Sequence, residues 1–158
     1  MKPIRTLLPL LALALTAACG GGTEQERVIP DAKPSNDTSA EVGDYVVHYN
    51  AMTTDQLTPQ VAQSTGIVRS KNRAMLNVSF VEKATGRTVE GSVEVAAANL
   101  TGQTKNVVMR KVQDADAIYY IGEVPVAHRE TLVFDITVRP PGAGQASTLK
   151  FRRQFFTD

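Results

Sequence analysis

The chain is poor in the residues from which most metal, redox and nucleophilic sites are built. Its 158 residues include one cysteine, two histidines and no tryptophan. A single cysteine excludes an internal disulfide, a zinc site of several thiolates and a paired redox motif. The 17 basic and 16 acidic residues nearly cancel. Because a nucleic-acid-binding protein needs a strongly basic surface, we predict no nucleic-acid partner.

Long apolar runs are also missing, and the one apolar segment lies near the start of the chain. Residues 7–15 are too few to span about 30 Å of hydrocarbon as a helix. They follow two basic residues and precede small ones, the pattern of a secretory signal peptide. Residues 15–19 (LTAAC) resemble the bacterial lipoprotein signal, with Thr16 at the position where leucine is commonest. We therefore predict a signal peptide at 1–18 and lipidation, including palmitate, at Cys19.

The acylated Cys19 is expected to anchor the mature chain in a membrane. Stable attachment needs more than one acyl chain, since each buried CH₂ contributes only about 0.8 kcal/mol. Gly20 follows the cysteine, where an aspartate would resemble an inner-membrane retention signal. By this resemblance we expect the inner leaflet of the outer membrane of a Gram-negative cell, with the chain facing the periplasm.

Residues 19–42 are predicted to form a disordered tether. The segment is rich in Gly, Pro, Ser, Asp and Glu and has few apolar side chains. Such a composition does not bury enough surface to offset the entropy of ordering the chain. A flexible segment of this length has a root-mean-square span of roughly 25 Å.

From residue 43 to the end, apolar side chains recur at every second position, which is the period of a half-buried strand. Turn residues separate the runs, as at 84–87, 101–103 and 140–144. The spacing predicts an all-β domain at 43–158, an antiparallel immunoglobulin-like β-sandwich of about seven strands. One short helix is expected after the first strand, capped by Thr58, started by Pro59 and ended by Gly66, and crossing between the sheets. The fourth strand is expected around Val107 and Met109.

Five stretches of this region are similar to a family of small proteobacterial envelope proteins that is catalogued as a domain of unknown function. They are GDYVVHYNAM at 43–52, GIVRSKNR at 66–73, NLTGQ at 99–103, AIYYIGE at 117–123 and QFF at 154–156. The resemblance implies an immunoglobulin-like sandwich in the periplasm. It implies no catalytic residues, and the leader and tether lie outside it.

Five side chains are candidates for an interaction surface: His48, Arg69, Lys71, Arg73 and Tyr119. In an extended segment the three bases would share one face, where they could contact an anionic or acidic partner. The alternative is a solvated strand edge whose charges prevent edge-to-edge pairing. Tyr119 either marks a binding face or packs on the sheet.

Three classes of function remain open. The first, which we prefer, is a non-catalytic binding or accessory module, displayed to another envelope protein or to a cell-wall component. The second is copper handling or other small-ligand binding, through His48, Met52 and further methionines such as Met75 and Met109, because thioethers and imidazole suit copper. The third is a hydrolase, although no serine lies in a nucleophile motif. We predict no enzyme activity, no metal and no cofactor.

Cys19→Ser should block lipid processing, because only a thiol forms the thioether to diacylglycerol. Metabolic labelling with palmitate should show no labelled mature form, and the protein should leave the membrane fraction or keep its leader. If the variant yields the same lipid-labelled mature chain, the assignment of the signal is wrong.

Overall fold

A computed structural model describes residues 37–158. The predicted signal peptide, Cys19 and residues 20–36 of the predicted tether lie outside the described residues. The described part consists of two antiparallel β-sheets with one short α-helix, which confirms the all-β sandwich. No helix in this part is both long and apolar enough to cross a bilayer.

The described residues form ten strands. They are β1 Ser39–Val42, β2 Tyr45–Thr53, β3 Arg73–Glu82, β4 Thr88–Val89, β5 Ser92–Asn99, β6 Thr104–Lys105, β7 Arg110–Asp114, β8 Ala117–Pro125, β9 Thr131–Arg139 and β10 Ser147–Gln154. The first sheet has the order β1-β2-β3-β8-β7, with β4 also paired to β3, and the second has the order β10-β9-β5-β6. A 3-10 turn, Thr54–Gln56, and helix α1, Pro59–Thr65, lie between β2 and β3.

The structure has three strands more than the predicted seven, and the three strands that the prediction missed are short. β4 and β6 have two residues each, too few for a periodic signal. β1 lies in the segment that was assigned to the tether, and it pairs with β2 along all four of its residues. Ala40 and Val42 pack against the core and alternate with the exposed Ser39 and Glu41, but four residues are too few for a periodic signal. The ordered domain therefore begins before residue 43.

The predicted fourth strand is displaced along the chain. Val107 is buried and Met109 is half-buried, but both precede β7 and lie in the segment that passes from the second sheet to the first. They contact Gly122, where an added Cβ would lie 2.5 Å from the Met109 sulfur. Their apolar character therefore reflects packing over β8 rather than membership of a strand.

Helix α1 has the predicted caps but not the predicted position. The Thr58 side chain accepts a hydrogen bond from the Val61 amide, Pro59 begins the helix, and Gly66 ends it in the left-handed conformation. Because β2 and β3 are neighbours in one sheet, the connection returns to that sheet instead of crossing to the other. The helix segment covers part of the sheet's outer face, in a cluster of Leu57, Ala62, Ile67, Met75 and Ile121.

The main core lies between the two sheets and is built from the predicted inward positions. Phe134 and Phe151 stack with ring centroids 5.9 Å apart, and Tyr49 meets Phe151 edge-on at 5.5 Å. Leu76, Val78, Phe80, Leu132, Ile136 and Val138 are completely buried around them. The predicted inward positions of β2, β3 and β9 are therefore confirmed.

Tyr120 fixes the place where the chain changes sheets between β4 and β5. Its hydroxyl donates to the Gly91 carbonyl at 2.5 Å and accepts from the Gly91 amide at 3.0 Å. A side chain at position 91 would approach the Phe80 ring to 2.8 Å. Glycine is therefore required here so that the crossover can lie close to the core.

The sandwich has two distinct ends. At the hairpin end lie the β1–β2 turn at 43–44 and the β9–β10 connection at 140–146. At the opposite end, called the helix end, lie α1, the β5–β6 turn at 100–103, the β8–β9 connection at 126–130 and the C-terminus.

Glu130 holds the loops of the helix end together. Its carboxylate forms an ion pair with Lys105 at 2.9 Å and accepts hydrogen bonds from the Asn99 side chain and the Ala127 amide. The Glu130 carbonyl accepts from the Phe155 amide at 2.8 Å. Burial alone would raise the pKa of Glu130, but the Lys105, Ala127 and Asn99 contacts outweigh it and hold this pKa below its ordinary value.

Glu130→Gln should make the domain less sensitive to acid. Since the pKa of Glu130 is lower in the folded state, the carboxylate stabilises the fold above its unfolded pKa. This stabilisation is lost as the pH falls through the folded pKa. The stability gap between wild type and variant should therefore shrink between about pH 5 and pH 3. Urea denaturation across this range measures it, and Glu94→Gln, at an exposed carboxylate of β5, is the control. A gap that does not change with pH contradicts the role given to Glu130.

Phe134→Ala should lower the free energy of unfolding by about 3–5 kcal/mol, because the side chain is fully buried and its removal leaves a cavity. Denaturant unfolding followed by circular dichroism measures the change. Phe156→Ala is the matched control, since that ring is 61% exposed and its loss should cost little. A loss below 1 kcal/mol for Phe134→Ala would contradict the register of β9.

Candidate functional site

A polar groove lies on the outer face of the first sheet. It has a volume of about 250 Å³ and is lined by Thr38, His48, Tyr49, Asn50, Asn77 and Ser79. His48 pairs with Ser79 and Asn50 pairs with Asn77 across β2 and β3. Since opposite residues of an antiparallel pair point to the same face, these four side chains form two adjacent polar rows.

The local sequence explains why these side chains point outward. In β2 the buried residues Val47, Tyr49 and Ala51 alternate with His48 and Asn50. The helix segment covers only part of this face, over Met75 and Ile121. The next two rows toward the hairpin end, Asn50 with Asn77 and His48 with Ser79, do not belong to this cluster, and the groove opens there.

Asn77 is the unusual residue of the groove. Its Oδ1 atom is buried and has no hydrogen-bond partner in the structure. A buried acceptor without a partner costs about 1–3 kcal/mol. Among the described residues, the side chains of His48, Asn50 and Ser79 also make no hydrogen bond with one another or with Asn77. The groove therefore offers several unused polar groups, one of them already desolvated.

His48 and Ser79 are a histidine and a serine that face each other in the groove. The two residues are opposite one another, yet no hydrogen bond joins them and no carboxylate of the described chain contacts His48. A nucleophilic triad needs both the hydrogen bond to the base and an acid that orients the base. This pair alone therefore does not form that arrangement.

The five predicted interaction residues do not form one surface. His48 lines the groove. Tyr119 lies on the same face of the sheet, in β8, next to Tyr120, which pairs with Val78 of β3. Tyr119 is half-buried and packs against the cluster under α1, so it behaves as a sheet-packing side chain. The three bases lie at the helix end.

The prediction that the three bases share one face of an extended segment is wrong. Lys71 lies in a turn, and only Arg73 belongs to β3. Arg69 donates to the Asp55 carbonyl at 2.7 Å, and Arg73 forms an ion pair with Glu123 at 3.4 Å. The turn separates the three side chains because the chain must bend there to enter β3.

The residues considered for copper are also only partly brought together. Met52 and Met75 are directly opposite each other on the face that carries His48. Four residues along a strand separate His48 from Met52, about 13 Å at the usual rise, and Met109 packs instead against the main core. Among the described residues, no group of three or more His, Cys, Asp and Glu side chains is placed to hold a metal ion.

Sequence reasoning missed Asn50, Asn77 and Ser79 as members of a site. Each was visible as the polar partner in an alternating run, but alternation is equally typical of a solvated face. The missing information was the register of β2 against β3, which places the two asparagines opposite each other.

Comparison with known proteins gives a family and a fold. Residues 39–158 match a family model described as "Domain of unknown function (DUF4426)". A solved DUF4426 family protein from Pseudomonas aeruginosa PAO1 is 37% identical, with a TM-score of 0.67 over 78% of this chain and 97% of the relative. No curated protein matches significantly.

More distant structures share the fold only. FetP from uropathogenic E. coli strain F11 is 10% identical, with a TM-score of 0.56 over 78% of this chain and 95% of FetP. A copper-bound variant of the same protein is 9% identical, with a TM-score of 0.56 over 78% of this chain and 97% of the variant.

Proposed function

The chain belongs to the DUF4426 family, and from this premise we propose that it is a non-catalytic binding module of the Gram-negative cell envelope, anchored as a lipoprotein to the inner leaflet of the outer membrane. The groove of His48, Asn50, Asn77 and Ser79 is its binding site. The observation that carries the proposal is the buried, unpartnered Oδ1 of Asn77.

The chemistry of the groove favours a ligand that donates hydrogen bonds. An amide oxygen is an acceptor, so its partner must bring a hydroxyl or an N–H group. The volume of about 250 Å³ is below the usual range for drug-sized ligands, and it suits one sugar or one peptide residue. We propose a cell-wall glycopeptide as the ligand, because it carries both kinds of donor and is present where the lipoprotein signal would direct the chain.

The proposed mechanism is display. Acyl chains on Cys19 attach the protein to the membrane, the residues before the domain set how far from the membrane it can extend, and the sandwich presents the groove to the ligand. No bond is made or broken in this scheme, which is why it needs no nucleophile or metal. Copper handling remains the alternative, and the facing pair of Met52 and Met75 supports it. However, the desolvated acceptor of the groove is an amide oxygen rather than one of the soft ligands that Cu(I) prefers.

Asn77→Ala should weaken binding of a soluble muropeptide by about three- to tenfold, the worth of one hydrogen bond to an uncharged group. The fold should be no less stable, because the variant removes an unpartnered buried acceptor. NMR titration of residues 37–158 measures both effects, with shifts expected at His48, Asn50 and Ser79. Gln145→Ala, at the exposed β9–β10 connection, is the control.

Two outcomes would count against this proposal. Groove resonances that do not move at millimolar muropeptide would reject the ligand. Binding of Cu(I) in competition with a chelator, with movement of the methyl resonances of Met52 and Met75, would favour the copper hypothesis.

A further inference from the structure

Three arginines at the helix end are free of acidic partners. Among the described residues, no ion pair involves Arg129, Arg152 or Arg153. Arg152 and Arg153 are exposed near the end of β10. The Gln154 side chain donates to the Arg129 carbonyl at 3.2 Å, so the β8–β9 connection and the end of β10 are held together. The three cationic groups therefore lie at one end of one sheet.

Two exposed apolar side chains flank these arginines. Leu100 in the β5–β6 turn is 67% exposed, and Phe156 after β10 is 61% exposed. Arg152 and Gln154 line one surface depression with Leu100 and a second with Phe156, so the apolar groups stand on either side of Arg152. We call Leu100, Arg129, Arg152, Arg153 and Phe156 the basic tip.

Two of the acids near the basic tip are paired with basic side chains. Glu130 is paired with Lys105 at 2.9 Å, and the exposed Asp158 contacts the His128 ring at 2.9 Å. Glu123 is paired with Arg73 on the other sheet. At the hairpin end, in contrast, Asp44, Asp114 and Asp116 are exposed and form no ion pair with any described residue. The domain is therefore more basic at the helix end than at the hairpin end, where these acids accompany the exposed Arg87 and Arg139.

The direction of β1 shows which end of the domain the chain enters from. β1 is antiparallel to β2, with Ser39 opposite His48 and Val42 opposite Tyr45. The Thr38 carbonyl accepts from the Tyr49 amide, which continues the pairing toward the helix end. Of the residues of β1, Ser39 is thus the nearest to the basic tip, and β1 runs away from it.

We propose that the basic tip is a membrane-docking surface for anionic phospholipid. Arginines bind phosphate through charge-assisted hydrogen bonds, and exposed apolar side chains beside them enter the boundary between headgroups and acyl chains. In this proposal the basic tip faces the bilayer, and the groove on the outer face of the first sheet stays open to a ligand. Only this orientation rests on the proposed function; the lipid affinity of the tip is a property of residues 37–158.

The test uses residues 37–158 without the lipidation signal. The family model matches residues 39–158, and the Pseudomonas relative aligns over 97% of its own chain, so this segment corresponds to the whole family domain. Co-sedimentation should show binding to vesicles of phosphatidylglycerol and phosphatidylcholine that falls with added salt, and little binding to phosphatidylcholine alone. Arg152→Gln with Arg153→Gln should reduce the partition coefficient at least tenfold, because each cation near an anionic surface strengthens binding by roughly fivefold.

The matched control is Arg87→Gln with Arg139→Gln, which removes the same charge from exposed arginines at the hairpin end. It should change binding little. Equal losses in the two double variants would show attraction by net charge alone and overturn the proposal.

A fluorescent reporter tests which end touches the bilayer. The chain has no tryptophan, so Phe156→Trp introduces one probe whose emission should shift to the blue on anionic vesicles. Gln145→Trp at the hairpin end should not shift. No binding, or a shift only at position 145, would reject the docking surface while leaving the groove and the Cys19 anchor to their own experiments.

Discussion

The structure depends on one packing constraint, the burial of alternate side chains between two antiparallel sheets. Val47 and Tyr49 in β2, Val78 and Phe80 in β3 and Phe134 in β9 all point into this layer. A slip of one residue would turn every one of them to the surface. The same constraint fixes what faces outward, so the polar groove is a consequence of core packing rather than of a separate loop.

The outer face of the first sheet is divided by the connection between β2 and β3. Where α1 covers it, the exposed row becomes a small second core around Met75 and Ile121. Where the helix layer ends, Asn77 is left with a buried carbonyl oxygen that no protein group satisfies. The proposed binding site therefore lies at the margin of a packed layer.

The sequence predicted the parts of the fold that follow from local rules. Alternation gave the long strands and the core positions, and Thr58, Pro59 and Gly66 marked the helix. It failed where pairing decides the outcome. β1 is too short to show a period, Met109 packs over β8 outside any strand, and Lys71 lies in a turn. The site was only partly foreseen, since His48 was a candidate but its polar neighbours depend on strand register.

The geometry of β1 has a mechanical consequence for an anchored domain. The hydrogen bonds of an antiparallel pair lie perpendicular to the strands. A pull on the chain at Ser39, along the strand axis, therefore loads the four residue pairs with β2 in shear. Shear shares the load among all the bonds at once, whereas peeling breaks them one by one. In the proposed lipoprotein, a four-residue strand placed in this way would therefore resist force from the anchor better than its length suggests.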